Sequence, residues 1–426
     1  MLLLRDDFLN YESLALSLML PTPCRDKNAA SKVQTVLEII EKAYRNGWTE
    51  NRPDESCYRD CLVTISRRVN APEIGVLADA TLSEMKERMM IPDTTCYGAA
   101  LLAWKNVATA RECEDREKAV KRALEIFQEM TEAYHRTTKI TVRPTTEHYN
   151  HALEALTASK SPKAFTQAEK LLSALEDTLR DNNSENEVKL LPNGRPGNSN
   201  VGPDAECYKL VLRTLQNRKK FPQTFSEAMD ILKRMKDRLE VIQQHSSQQS
   251  CTEVFSAFIL VCATCRAKSE GPRKTVMATV LRTIEDMRLL GLQPDSSTYA
   301  ALIEAVRHLM PQGKNRHRLL ESIFRKACNE GHVDQTLLEH FKLAASTSLF
   351  TKLVVTQSRI VENMKVVPES WTRNVKGFQA SVEGGRKVLP LSIEGNFTFT
   401  KAAAEYKMRN LRKQENKKML QGGRTR

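Results

Sequence analysis

Behind a repeated aromatic residue, apolar side chains recur three, four and seven positions on. The pattern reads Tyr58, Cys61, Leu62, Ile65, then Tyr97, Ala100, Leu101, Trp104, then Tyr149, Ala152, Leu153, Leu156. It returns as Tyr208, Val211, Leu212, Leu215, as Phe255, Phe258, Ile259, Cys262, and as Tyr299, Leu302, Ile303, Val306. This spacing puts four side chains on one helical face and predicts six buried helices with matching stripes. A second stripe follows each one, clearest at Ala123, Ile126, Phe127, Met130, at Ala168, Leu171, Leu172, Leu175 and at Ala228, Ile231, Leu232, Met235. Weaker forms are Ala78, Thr81, Leu82, Met85 and Val280, Thr283, Ile284, Met287; Leu320, Ile323, Phe324, Ala327 closes the series and Val33, Val36, Leu37, Ile40 precedes it. Each unit is therefore a helical hairpin. It cannot bury both stripes alone, so neighbours must stack.

The boundaries repeat as well. Pro precedes Asp at Asp54, Asp93, Asp204 and Asp295 and precedes Thr at Thr145, and the aromatic always follows four residues later. Proline cannot continue the preceding helix, and the Asp or Thr behind it offers an N-cap oxygen to the next. Only the entry to the Phe255 helix and the step after Val333-Asp334 lack the proline. Aromatic spacings of 39, 52, 59, 47 and 44 residues exceed a minimal hairpin. The excess falls in polar inserts at Asp181 to Gly202, Ile242 to Ser250 and Thr109 to Lys118. The expected organisation is a partial N-terminal helix or half repeat at 1–30, an array at 31–346 with a flexible insert at 181–202, a C-terminal helix and irregular arm at 347–400, and a basic tail at 401–426. In the arm, the alternating FTFT of Phe397 to Thr400 suits one short strand that would have nothing to pair with, so the segment reads as an extended arm laid on the last repeats, with Trp371 as an anchor.

Charge changes this picture less than its total suggests. The chain is +13 overall, yet 401–426 carries nine Lys/Arg against two Glu, which leaves only +6 on the other 400 residues. The array is not a uniformly basic surface; the tail, with Arg409, Arg412, Lys413, Lys417 and Lys418, is the phosphate-binding candidate. Apolar residues make up 41%, with no run long enough to cross a membrane. The N-terminal apolar patch carries Asp6, Asp7 and Glu12, against a secretory leader or transit peptide. Ten cysteines in 426 residues do not make a disulfide scaffold, and most lie on or beside apolar stripes. Cys262 and Cys265 form a CxxC without a second ligand pair, and His148 and His151 lack a third ligand. No phosphate loop or nucleophile elbow appears. The expectation is no enzyme, no cofactor, no metal, no membrane and no small-molecule substrate.

The linked patterns resemble the pentatricopeptide-repeat family. ALEIFQEM (Ala123 to Met130) and GLQPDSSTYAALI (Gly291 to Ile303) carry the resemblance best. Tetratricopeptide repeats, of nearly equal period, lack the Pro-Asp-x-x-x-Tyr junction. The resemblance implies an all-α solenoid, a right-handed superhelix of helical hairpins, binding single-stranded RNA in a groove lined by first helices. It also implies that the residue after each aromatic and the residue closing the repeat meet each base. In this chain those pairs are Arg59 with Asp93, Gly98 with Thr145, Asn150 with Asp204, Lys209 with Cys251, Ser256 with Asp295, and Ala300 with Asp334. By resemblance, Asn150 with Asp204 favours uracil and Ser256 with Asp295 a purine. Gly98 and Ala300 offer no side-chain hydrogen bond, and Arg59 and Lys209 suit phosphates instead. The implied role is passive RNA binding in organellar RNA processing, stability or translation, in a mitochondrion or plastid. The alternative is a protein–protein scaffold, a ribonucleoprotein subunit without sequence-specific RNA recognition.

Overall fold

The structure is a computed structural model that describes residues 42, 45, 46, 54–67, 73–111, 113, 115–184, 201–216, 218, 221–265, 267–361, 364–375, 381–383 and 386–388. The expected N-terminal segment 1–30, the stripe from Val33 to Ile40, the FTFT stretch and the basic tail lie outside the described residues, as does most of the insert after residue 184.

Every aromatic stripe is buried. All six sets of four side chains are at most 7% exposed, so the helical reading of the pattern holds residue by residue. The junctions hold too. Asp54 caps α1 (Glu55–Ser66), Asp93 caps α3 (Thr94–Thr109), Asp295 caps α12 (Ser296–Leu309) and Asp334 caps α14 (Gln335–Ala344). Each accepts the backbone N–H three residues on, at 2.7–3.0 Å. Thr145 caps α5 (Thr146–Ala158) through a reciprocal capping box with His148.

The chain divides into two units. The first comprises Met1–Arg218 and Asp230–Ser246. In it the first helices α1, α3, α5 and α7 (Ala205–Gln216) pack side by side in order. The second helices α2 (Ile74–Glu87), α4 (Arg116–Thr137) and α6 (Ala164–Ser184) each pack on their own first helix and on the next one. Ion pairs stitch the second helices together: Arg122 Nε and Nη2 hold Asp79 at 2.8 and 3.0 Å, and Arg122 Nη1 holds Glu129 at 2.9 Å. Tyrosines also tie first helices to second ones. Tyr58 Oη donates to Glu84 at 2.9 Å and Tyr208 Oη to Glu176 at 2.8 Å. Helix α8 (Gln223–Asp237) contributes Arg234, whose Nη2 lies 2.8 Å from the buried Glu176 carboxylate.

The second unit comprises Lys219–Met229 and Ser247–Arg426. Here α10 (Gln248–Thr264), α12 and α14 are the adjacent first helices, with α11 (Glu270–Leu289) and α13 (Lys314–Glu330) behind them. One expectation is corrected. The segment from Ile242 to Ser250 is mostly helical: α9 (Leu239–His245) fills its start, and α10 begins at Gln248 with Ser247 as its cap, bonded to Ser250 N at 3.1 Å. The serine replaces the missing Pro-Asp junction and starts the helix one turn early.

The arm is more regular than expected. After α15 (Thr347–Phe350), β1 (Arg359–Val361) pairs with β2 (Met364–Val366), and β3 (Ser381–Glu383) pairs with β4 (Arg386–Val388). Antiparallel hairpins supply their own partners. Trp371 stands edge-on to Phe324 at 5.6 Å, and its carbonyl accepts from Val333 N at 2.8 Å. Gly331, at φ +74°, ends α13 in the left-handed turn that favours glycine, and its carbonyl accepts from Asn374 N at 2.9 Å.

Candidate nucleic-acid interface

The candidate surface in the first unit is the row of first-helix N-termini, where two caps, Asp93 and Asp204, each do two jobs. Asp93 spends Oδ1 on Cys96 N at 2.9 Å and Oδ2 on Arg59 Nε at 2.9 Å. Asp204 repeats this arrangement, with Oδ1 on Cys207 N at 2.9 Å and Oδ2 on Asn150 Nδ2 at 3.1 Å. The residue after one aromatic thus meets the cap of the next repeat, and two of the six pairs are direct hydrogen-bonded rungs. At the Asn150 rung the Cys207 thiol also donates to Asn150 Oδ1, at 2.9 Å. One N–H of the Asn150 amide remains beyond its bond to Asp204, beside an Asp carboxylate edge, which is a donor next to acceptors. Burial pushes the Cys96 thiol up to about 12 and the Cys207 thiol well up, with the neighbouring aspartates adding to both, so these sulfurs stay protonated donors.

The other pairs diverge. Gly98 leaves its place to the His148 ring, whose Nε2 would lie 2.8 Å from an added Cβ. Thr145, its expected partner, is within 2.6 Å of His148 Nδ1, and His148 Nε2 lies 2.9 Å from the Thr94 carbonyl. Burial holds that imidazole below its ordinary range; Nδ1 serves the capping box and Nε2 meets the neighbouring first helix at the Thr94 carbonyl. Ser256 is buried, bonded to Thr298 Oγ1 at 2.8 Å, and Thr298 in turn donates to Asp295 at 2.9 Å. Lys209 is buried and ion-paired with Glu206 on its own helix; it belongs to the first unit and Cys251 to the second. Cys251 is fully buried inside α10, because the early start at Ser247 moves it from the junction into the helix core. Ala300 is 6% exposed, and Asp334 serves as the α14 cap. Cys262 and Cys265 are buried free thiols.

One class of residue, the position just before the aromatic, reads from the sequence as packing only. Cys96, His148, Cys207 and Thr298 stand third in their helices and meet the neighbouring rung. Their shared register was the available signal, though by itself it says packing as readily as rung chemistry.

The array is a stack of helical hairpins with buried aromatic stripes and Pro-Asp caps, the all-α repeat fold that the pentatricopeptide resemblance implied. Solved structures that are similar include two crystal structures of the pentatricopeptide repeat protein PPR10 in complex with an 18-nt psaJ RNA element, one with three cysteine-to-serine substitutions. Each is 14% identical, with 78% of this chain and 49% of that chain covered, at a TM-score of 0.25. The chain spans about half the length of those proteins. No family model and no curated protein matches it.

Cations on the first helices already have carboxylate partners: Arg59 at a rung with Asp93 at 2.9 Å, and further along their helices Lys105 with Glu154 at 3.2 Å and Arg307 with Glu304 at 3.0 Å. Any phosphate must compete with these. Among the described residues no His, Cys, Asp and Glu group has the arrangement of a metal site, and no helix is long and apolar enough to cross a membrane.

Proposed function

We propose that this chain binds single-stranded RNA along its first-helix N-termini and acts passively, by occupancy, in organellar RNA processing, stability or translation. The observation that supports this most is the Asn150–Asp204 rung, in which an amide and a carboxylate from successive repeats are joined at 3.1 Å. Paired side chains presented at successive repeats are how helical-repeat proteins read unstacked bases one by one. Bound RNA would be withheld from nucleases and from its own secondary structure, and no chemical step is required of the protein. A mitochondrial or plastid site is part of the proposal and rests on the family resemblance.

A second reading has its own observation. Lys209, Cys251, Ser256 and Ala300 are buried, so several expected base-facing positions present no side chain to a ligand. That favours a scaffold that holds a protein partner in a ribonucleoprotein. Anisotropy of labelled single-stranded RNAs with the full chain separates the two. RNA binding that weakens in Asn150→Ala, most for uridine-rich strands, supports the first reading. Wild-type protein that retains no single-stranded RNA defeats it and leaves the scaffold.

A further inference from the structure

In the second unit, a cavity of about 390 Å³ opens between the turn after α10 and the end of α12. Its wall is Ala263, Thr264, Ala267 and Leu309, and its polar rim is Lys268, Arg273 and His308. Arg273 Nε donates to the Ala267 carbonyl at 2.8 Å, which fixes the guanidinium at the rim and leaves its Nη groups to a ligand. Lys268 is exposed and has no carboxylate within ion-pairing distance among the described residues. His308 Nε2 lies 2.8 Å from Glu304, whose charge is already met by Arg307 at 3.0 Å and approached by His340 at 3.1 Å.

The surroundings are strongly positive. The described residues of 263–275 and 304–318 carry seven Lys/Arg against two Glu, a net +5, whereas residues 1–400 together carry +6. Burial, with the nearby Arg307 next, pushes the Arg316 guanidinium down. No Phe, Tyr or Trp lines the cavity, and its His308 ring is held by Glu304, so it offers a base no broad stacking platform. What it offers is charge for a phosphate and a small apolar wall for a sugar. Thr264 stands eight residues beyond Ser256 on α10, roughly 12 Å along the axis, so the cavity is a separate place from the rungs.

We infer that this cavity is a nucleoside-phosphate subsite, holding a phosphate on Lys268, Arg273 and His308 without regard to the base. The anion preference rests on the charge alone; the choice of a nucleoside phosphate rests on the RNA-binding reading. The ligand could be a nucleotide unit of a bound strand or a free mononucleotide.

The test uses the full chain and two exposed-site variants, Lys268→Gln and His308→Gln, with circular dichroism to check folding. One arm measures anisotropy of a 20-nucleotide single-stranded RNA across a salt series; the other measures adenosine monophosphate binding by calorimetry. A strand-borne phosphate predicts several-fold weaker RNA binding in Lys268→Gln, with the salt slope reduced by about 0.7. A free nucleotide predicts adenosine monophosphate binding that both variants lose while RNA binding is unchanged. Either result supports the subsite. If neither ligand's binding depends on Lys268 or His308, the inference is overturned, including the case in which wild-type protein binds neither. The RNA-binding reading fails only if the wild type binds no RNA, and it survives if RNA binding is merely insensitive to these variants.

Discussion

Asp204 separates capping from rung formation, because its two oxygens have different partners. Oδ1 holds Cys207 N at 2.9 Å and Oδ2 holds Asn150 Nδ2 at 3.1 Å. Replacing Asp204 by Ala removes both: about 1 kcal/mol for the cap and about 1 kcal/mol for the half-buried side-chain bond. Asp204→Ser keeps an N-cap oxygen and loses only the rung, about 1 kcal/mol. An array does not unfold in one step, so the measurement should be local: amide hydrogen exchange at Cys207 and the first turn of α7. Exchange should accelerate roughly 30-fold in Asp204→Ala and about fivefold in Asp204→Ser. Asn150→Ala should cost the rung and the Cys207 thiol bond together, and the double variant Asn150→Ala with Asp204→Ala should fall short of additivity by the shared rung, about 1 kcal/mol. Equal exchange in the Ser and Ala variants, or strict additivity, would refute the two-partner account.

Three further outcomes follow from particular contacts. Gly98→Ala gains about 1 kcal/mol of helix propensity, yet its Cβ meets His148 Nε2 at 2.8 Å, in a ring engaged at both nitrogens. A net loss of about 1–2 kcal/mol in thermal unfolding is expected, and adding His148→Ala should turn the alanine stabilising; a stabilising Gly98→Ala alone contradicts the packing. Burial, with Lys105 next, holds His151 down at about 4 against an ordinary 6.5, so it is neutral in the folded chain. The unfolded chain then binds the extra proton, and stability should fall from about pH 6.5 down to about 4, by up to about 3 kcal/mol. His151→Gln should flatten that window, and a urea titration with the same pH profile in both proteins would remove His151 as its source. Glu176→Gln takes the carboxylate from Arg234 Nη2 at 2.8 Å and Arg238 Nη2 at 3.8 Å. The uncompensated guanidinium charge should cost about 3 kcal/mol in hydrogen exchange across α6 to α8, and a loss below about 1 kcal/mol would show that Glu169 and Asp230, each 3.8 Å from Arg234 Nη1, take over.

Much of the fold was legible because helical burial has a period that one strand of sequence displays in full. Tyr208, Val211, Leu212 and Leu215 need no neighbour to be seen as a stripe, and all four are fully buried. Even the weak stripe of Ala78, Thr81, Leu82 and Met85 is buried; among the clear second stripes only Leu171 stays half-exposed. Asp93 was legible as a cap because Pro92 ends the preceding segment and the helix pattern starts at once. Cys251 shows where this ends. With no proline to mark the junction, a start at Ser247 or one turn later puts the same residues on the same face, so periodicity cannot choose. The hairpins of the arm went unread because three-residue strands carry too short an alternation to register.

The sequence by itself determined the unit: two amphipathic helices, a buried aromatic, and a Pro-Asp step that stops one helix and caps the next. These are interactions between residues within a few turns of each other, so local spacing encodes them. Only the tertiary structure decided what the rungs are made of. Arg59 reaches Asp93, Asn150 reaches both Asp204 and Cys207, and Gly98 yields its place to His148 across distances of 34 to 57 residues. Those meetings depend on how closely neighbouring first helices pack. Inter-helix distance is set by all the side chains between two helices together, and no single stripe records it.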